Sequence, residues 1–160
     1  MQKKLILIRH AKSEHVLGVS DFQRSITHNG VLKTKELDQV KDWFPTSATW
    51  WCSTANRTRQ TAALVAELVG KVDQDITYLD DLYTFSASEL QACIRQAPDE
   101  VDHLVVFGHN EAITETANEW GSVFVNHVPT SGMVALIFEA SSWKKIIHGT
   151  TATTCFPHLV

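Results

Sequence analysis

Hydrophobic residues along this chain fall into short unbroken runs, separated by longer stretches in which they recur every three or four positions. LILI (5–8), TWWCS (49–53), ITYL (76–79) and HLVVFGH (103–109) are runs of the first kind. Continuous apolar stretches of that length predict strands covered on both faces. Between them, Leu37, Val40 and Phe44 predict a helix that starts after Thr27 and stops at Pro45, with Thr27 as N-cap and Ile26 and Val31 stapled across it. Ala62, Val65 and Val69 give a second stripe in NRTRQTAALVAELVG, and Gly70 fits its C-cap. SASELQACIRQAP (86–98) reads as a helix capped by Ser86 or Ser88, and a polar helix is expected over about 111–121. At the C-terminal end, MVALIFE (133–139) and WKKIIHGTT (143–151) predict a hairpin closed tightly by EASS. Strands alternating with helices predict an α/β, three-layer sandwich: a mostly parallel central sheet with helices on both faces, extended by that antiparallel hairpin.

Composition then narrows the function. A length of 160 residues suits one domain, taken as 1–160, with a full core. A formal net charge of -4 gives no general attraction to nucleic acid or to anionic lipid, and neither is expected as a partner. Cys52, Cys93 and Cys155 are odd in number, scattered and without a CxxC pair, which predicts free thiols and no zinc site. The apolar run after Met1-Gln2-Lys3-Lys4 is too short for a signal peptide or a membrane span, so a cytoplasmic location is expected. GxGxxG and GxxxxGK are both absent, which argues against a dinucleotide or P-loop site.

The chemistry sits where the strands end. In an open α/β sheet the ligand crevice lies beyond the carboxyl ends of the strands. LILI exits into Arg9-His10, TWWC into Ser53 and then Arg57 in the next helix, and HLVVF into Gly108-His109-Asn110. Two guanidiniums aimed at one crevice suit a phosphate, whose oxygens they can pair in bidentate fashion. An imidazole kept neutral by neighbouring positive charge can attack phosphorus, and a second can donate to the phosphoryl oxygens.

Arg9-His10-Ala11-Lys12-Ser13, SxxxRxxQTA at 53–62 and Gly108-His109-Asn110, in that order, resemble the three signature segments of the histidine phosphatase superfamily. The chain is similar in particular to the short bacterial phosphohistidine phosphatases of the SixA type. Arg24 with Ile26-Thr27 and Gly30, Leu82-Tyr83 before SASEL, and Pro129-Thr130-Ser131-Gly132 carry that further likeness. The resemblance implies a phosphoglycerate-mutase-like fold and a metal-independent phosphatase without a cofactor. His10 would be the nucleophile and become a transient phosphohistidine, Arg9 and Arg57 would clamp the phosphoryl oxygens, and His109 would complete the pocket. It implies a phosphohistidine-bearing signalling or phosphocarrier protein as substrate partner and inorganic phosphate as product; a monomer is expected.

The small-molecule branch of that superfamily usually places a carboxylic acid between the second arginine and the second histidine. Asp80 and Asp81 in LDDLY are the candidates for a general acid here, although neither falls in a matching motif. A pocket without such an acid suits a P–N bond, because an imidazole leaves more readily than an alkoxide, which benefits from a proton donor. Two rival readings are a small-molecule phosphomonoesterase or mutase of the same superfamily and a non-catalytic module that binds phosphoproteins. Arg59 reads as a surface charge, Ser53 as a helix cap, and Lys12 and Ser13 as pocket mouth or solvated loop. The remaining histidines (His15, His28, His103, His127, His148 and His158) show no ligand spacing and read as surface or structural.

Overall fold

Period-two alternation along the central strands sorts their side chains onto two cores. The computed structural model describes residues 1–72 and 75–158, and in it β1 (Lys3–Arg9), β2 (Thr49–Ser53), β3 (Ile76–Leu79), β4 (His103–Gly108), β5 (Met133–Phe138) and β6 (Thr150–Cys155) form one sheet. The order is β3-β2-β4-β1-β5-β6. β1 to β4 run parallel, β5 pairs antiparallel with β1, and β6 antiparallel with β5. Leu5 and Leu7 of β1 join Leu104 and Val106 of β4 and Val134 and Leu136 of β5 on one face. Ile6 and Ile8 join Val105, Phe107, Met133 and Ala135 on the other. A slip of one residue in any of these strands would exchange the two sets.

Helices cover both faces, so the expected three layers are present. Leu90 and Ile94 of α3 (Ala87–Ile94) and Ile113, Ala117 and Trp120 of α4 (Ala112–Trp120) close the first core. Ala62, Val65 and Ala66 of α2 (Asn56–Val69) and Leu37 close the second. Gly70 ends α2 in the left-handed conformation (φ 76°), where a residue without Cβ is favoured. No helix among the described residues is long and apolar enough to cross a membrane.

Two elements depart from the sequence expectations. The helix after Thr27 is capped as expected, with Thr27 Oγ1 accepting from Gly30 N, but α1 covers only His28–Thr34. It continues as a 3₁₀ stretch, Lys35–Trp43, broken at Val40 (φ -119°, ψ 16°). At the junction Thr34 Oγ1 donates back to Gly30 O at 2.7 Å, the i−4 bond that bends helices. Leu37 and Phe44 still reach the core.

The second departure is a correction. The antiparallel pair at the C-terminal end is present, but of WKKIIHGTT only Thr150 and Thr151 lie in its second strand, and EASS does not close a tight hairpin. Trp143–Lys145 is a 3₁₀ turn, and β6 begins only at Thr150. Trp143 and Ile146 are buried in the first core, and the Trp143 indole donates to Val101 O at 2.7 Å. A tertiary anchor of that size overrides the strand propensity of the run. The threonine-rich TTATTC then supplies the edge strand.

Candidate active site

The register fixes which side chains meet. Arg9 pairs with Gly108, Cys52 with Phe107 and Ser53 with Leu79, so β1, β2, β3 and β4 end level at one edge of the sheet. The residues that follow, His10 and His109 among them, therefore emerge together. Their ring centroids lie 5.3 Å apart with the planes inclined by 51°. Arg57, in the first turn of α2, donates through Nη2 to His109 Nδ1 at 3.3 Å. Arg9, the last residue of β1, lies close enough to lower the proton affinity of both imidazoles by its charge.

The backbone around His10 is held from three sides. His10 N donates to Gly108 O at 3.1 Å, and Ala11 N donates to Thr61 Oγ1 at 2.8 Å. Ser131 N donates to both Arg9 O and His10 O, each at 3.1 Å, from the turn Pro129–Gly132. Ser131 itself is buried in the left-handed region (φ 63°), and its Oγ meets Thr34 Oγ1 at 2.8 Å. The end of β1 is thereby tied to α2, β4 and the approach to β5.

Hydrogen-bond partners assign the tautomers. His10 Nδ1 lies 2.7 Å from Ala11 O, and a carbonyl only accepts, so Nδ1 carries the proton and Nε2 keeps its lone pair. For His109 the assignment reverses. Arg57 can only donate, so Nδ1 accepts, and Nε2 donates to Ser53 Oγ at 2.8 Å. Burial, then the charges of Arg57, Arg9 and Arg24, push His10 down to about 4, against the raising effect of its bond to Ala11. Burial, then His10 and Arg57, push His109 down to about 3. Desolvation thus outweighs the arginine charge on which the sequence argument rested. Both rings are neutral at neutral pH.

The guanidiniums retain unsatisfied donors. Arg9 Nη1 donates to Val128 O at 3.0 Å and lies 3.2 Å from His127 Nε2. The Nε atoms of Arg9 and Arg57 are buried with no hydrogen-bond partner among the described residues. Buried donors of a charged group are costly to leave unpaired, and an oxyanion is the ligand that pairs them most strongly.

Residues 5–113, from β1 into α4, match the histidine phosphatase superfamily (branch 1). The chain belongs to that superfamily. It is 27% identical to the uncharacterized protein Rv1276c of Mycobacterium tuberculosis (strain ATCC 25618 / H37Rv), over 93% of this chain and 98% of that one. Its fold matches the Nakamurella multipartitia protein provisionally named phosphohistidine phosphatase SixA, with a TM-score of 0.83, 23% identity and coverage of 98% and 97% of the two chains. It also matches the protein histidine phosphatase SixA complexed with tungstate, with a TM-score of 0.74, 18% identity and coverage of 96% and 97%.

Within this histidine phosphatase fold, the sequence-predicted basic groups converge and the predicted acids stand aside. Asp80 and Asp81 are exposed; Asp80 Oδ1 accepts from Thr54 Oγ1 at 2.8 Å. Both line a neighbouring cavity of about 590 Å³ with Tyr83, Thr84, Glu89 and Gln96. The carboxylate that does reach the site is Asp21. Its backbone carbonyl and Oδ2 accept from Arg57 Nη1 (2.6 Å) and Nη2 (3.1 Å), and Tyr83 donates to the same Oδ2. Burial alone would raise this carboxyl, but the hydrogen bonds from Tyr83 and Arg57, with the charge of Arg57, outweigh it and hold the group at about 2. Asp21 is therefore ionised and no proton donor at neutral pH.

Sequence reasoning missed Asp21 because it opens a three-residue 3₁₀ turn, Asp21–Gln23, too short to show periodicity, 36 positions before Arg57. A lone acid in GVSDFQR, whose only charged neighbour is Arg24, was the available signal. Ser53, read as a cap, does not cap α2, whose N-cap is Ala55 with no side-chain cap bond; its Oγ accepts from Ala55 N at 3.3 Å and makes its shorter bond to His109. His127, read as surface, is exposed and sits against Arg9. Ser13 is buried under Arg24, which donates to it, while Lys12 is exposed. Arg59 is exposed over the Tyr78 ring, 4.1 Å from its centroid. Among the described residues no group of three or more His, Cys, Asp or Glu is arranged to hold a metal ion.

Proposed function

We propose that this superfamily member is a phosphatase that removes the phosphoryl group from histidine of signalling or phosphocarrier proteins, with His10 as nucleophile. The observation that carries the reading is the pair of neutral imidazoles 5.3 Å apart, one with a free Nε2 lone pair, beside a buried arginine. His10 Nε2 attacks phosphorus in line. The substrate's imidazole carries a proton on its other nitrogen; the P–N bond breaks, its electron pair stays on the leaving nitrogen, and a neutral imidazole departs. Arg9 and Arg57 pair the equatorial oxygens and supply the charge stabilisation that metal ions give other phosphoryl-transfer enzymes. A phosphoryl dianion in the pocket offsets the arginine charge and favours uptake of a solvent proton on His109 Nδ1. That nitrogen exchanges its bond from Arg57 for donation to a phosphoryl oxygen, and it returns the proton to solvent once phosphate leaves. Water next attacks the phosphorus on His10; the bond to Nε2 breaks, and inorganic phosphate leaves with the neutral imidazole regenerated.

The choice of a P–N over a P–O bond rests on the acid inventory. Asp21 is held ionised, and Asp80 and Asp81 are exposed and line the neighbouring cavity, Asp80 accepting from Thr54. An imidazole leaving group needs no dedicated proton donor, whereas an alkoxide does. Structures of SixA-named proteins share the fold, which supports the same class of substrate. The test is comparative turnover of a phosphorylated histidine phosphotransfer domain and a panel of alkyl phosphate esters. Higher kcat/KM on the phosphoprotein is expected. Efficient ester hydrolysis with none on the phosphoprotein would reject this reading in favour of a small-molecule phosphomonoesterase.

A further inference from the structure

Four rings stand in contact at the mouth of the site, and phosphoryl transfer as described uses only the innermost. Phe22 and Tyr83 meet at 5.2 Å between centroids, and Tyr83 and Phe85 at 6.0 Å. Tyr83 and Phe85 lie 5.4 Å and 5.5 Å from the ring of His109. His109 is 1% exposed, whereas Phe85 is 53% and Phe22 41% exposed. Scattered exposed apolar side chains are ordinary, but these come from two separate loops, after β1 and after β3, and form one contiguous row. The row is also fixed to the phosphate-binding apparatus: the Tyr83 hydroxyl donates to Asp21, whose carboxylate holds Arg57.

A leaving group departs on the side of phosphorus opposite His10 Nε2. His10, Arg57, Ser53 and His109 are buried, and the exposed ring nearest to them is Phe85, 5.5 Å from His109, so Phe85 stands where a group leaving the pocket beside His109 meets solvent. Centroid separations of 5–6 Å are those at which rings attract one another in stacked or edge-to-face pairs. We propose that Phe85, backed by Tyr83 and Phe22, is the contact for a planar ring attached to the phosphoryl group and biases the site toward phosphorylated rings over phosphorylated alkyl groups. This rests on the phosphohistidine reading, in which the ring is the substrate's imidazole. Phe85 is then a specificity-determining residue, touching the leaving group and not the phosphoryl oxygens.

The experiment uses two ligands that share a non-hydrolysable head and differ in the ring: phenylphosphonate and methylphosphonate. Their dissociation constants would be measured by titration calorimetry on the full chain, as wild type, Phe85→Ala and Phe85→Tyr. The wild type is expected to prefer the phenyl ligand by about fivefold, within the roughly two- to twelvefold range that an aromatic pair supplies. Phe85→Ala should bring that ratio to within about twofold, and Phe85→Tyr should keep it, since an edge or face remains available. An unchanged ratio in Phe85→Ala, no ring preference in the wild type, or failure to bind either ligand would overturn the proposal. The readout needs no turnover. A chain that prefers the ring but leaves phosphohistidine intact would refute the proposed function alone, and one that dephosphorylates histidine with equal ratios would refute this inference alone.

Discussion

At the scale of single residues the site is organised by which ring nitrogen holds a proton. Ala11 O sets this for His10, and Arg57 with Ser53 sets it for His109. Ser53 is fully buried, so Ser53→Ala removes the partner of His109 Nε2 without exposing the pocket. A loss of about 10- to 100-fold in kcat is expected from the freed ring orientation, with about 1–3 kcal/mol of stability lost because the buried Nε2–H is left unpaired. Arg57→Lys should cost about 10²–10³-fold, because an ammonium cannot reproduce the planar fork that Asp21 holds in place. Acid should destabilise the fold in a defined window. The two imidazoles titrate below their ordinary 6.5, at about 4 and about 3, so the unfolded chain binds more protons as pH falls from 6.5. Stability is therefore lost progressively between pH 6.5 and about 3. Asp21 adds to the loss below its ordinary 3.8, because its folded value is about 2. Thermal melts from pH 7 downwards should show this slope, and His109→Gln should flatten it.

At the scale of elements, the site is precise because strand ends are tied to other elements and not left as free loops. The turn Pro129–Gly132 clamps the exit of β1 through Ser131 N. A Cβ at Gly132 would meet Pro129 O at 2.7 Å and Val128 Cγ1 at 2.8 Å. Gly132→Ala should cost about 1–3 kcal/mol of stability, the usual range for overpacking, measurable by denaturant unfolding. Activity should fall further than stability explains, since Gly132 O accepts from Arg9 N. The elements that the sequence made legible are those with a single dominant signal. Leu5 to Ile8, a short apolar run with no helical period, is the buried strand expected of it, and Thr27, Gly70 and Ser86 carry cap chemistry that the structure uses. WKKIIHGTT carried two signals, strand propensity and a large indole. The indole decided the outcome through a bond to Val101, a partner 42 positions away that no local pattern shows. Asp21 was hidden for the same reason: its role is set by Arg57 and Tyr83 across the fold.

At the scale of the whole molecule, four basic residues spread over 101 positions of sequence become one pocket because β1, β2 and β4 lie side by side and end level. The convergence of Arg9, His10, Arg57 and His109 was readable from strand exits alone; the ring wall outside it was not, since Phe22 lies in a three-residue 3₁₀ turn and Tyr83 and Phe85 in a connection without periodicity. The central claim is that His10 Nε2 carries the phosphoryl group in transit. Rapid quenching of the protein with a labelled phosphohistidine domain, followed by mapping of the modified peptide, tests it most directly. Acid-labile, alkali-stable phosphate on His10 in the wild type, and none on the protein after His10→Ala, is the predicted result. Turnover that persists in His10→Ala, or label that maps to His109, would contradict the account.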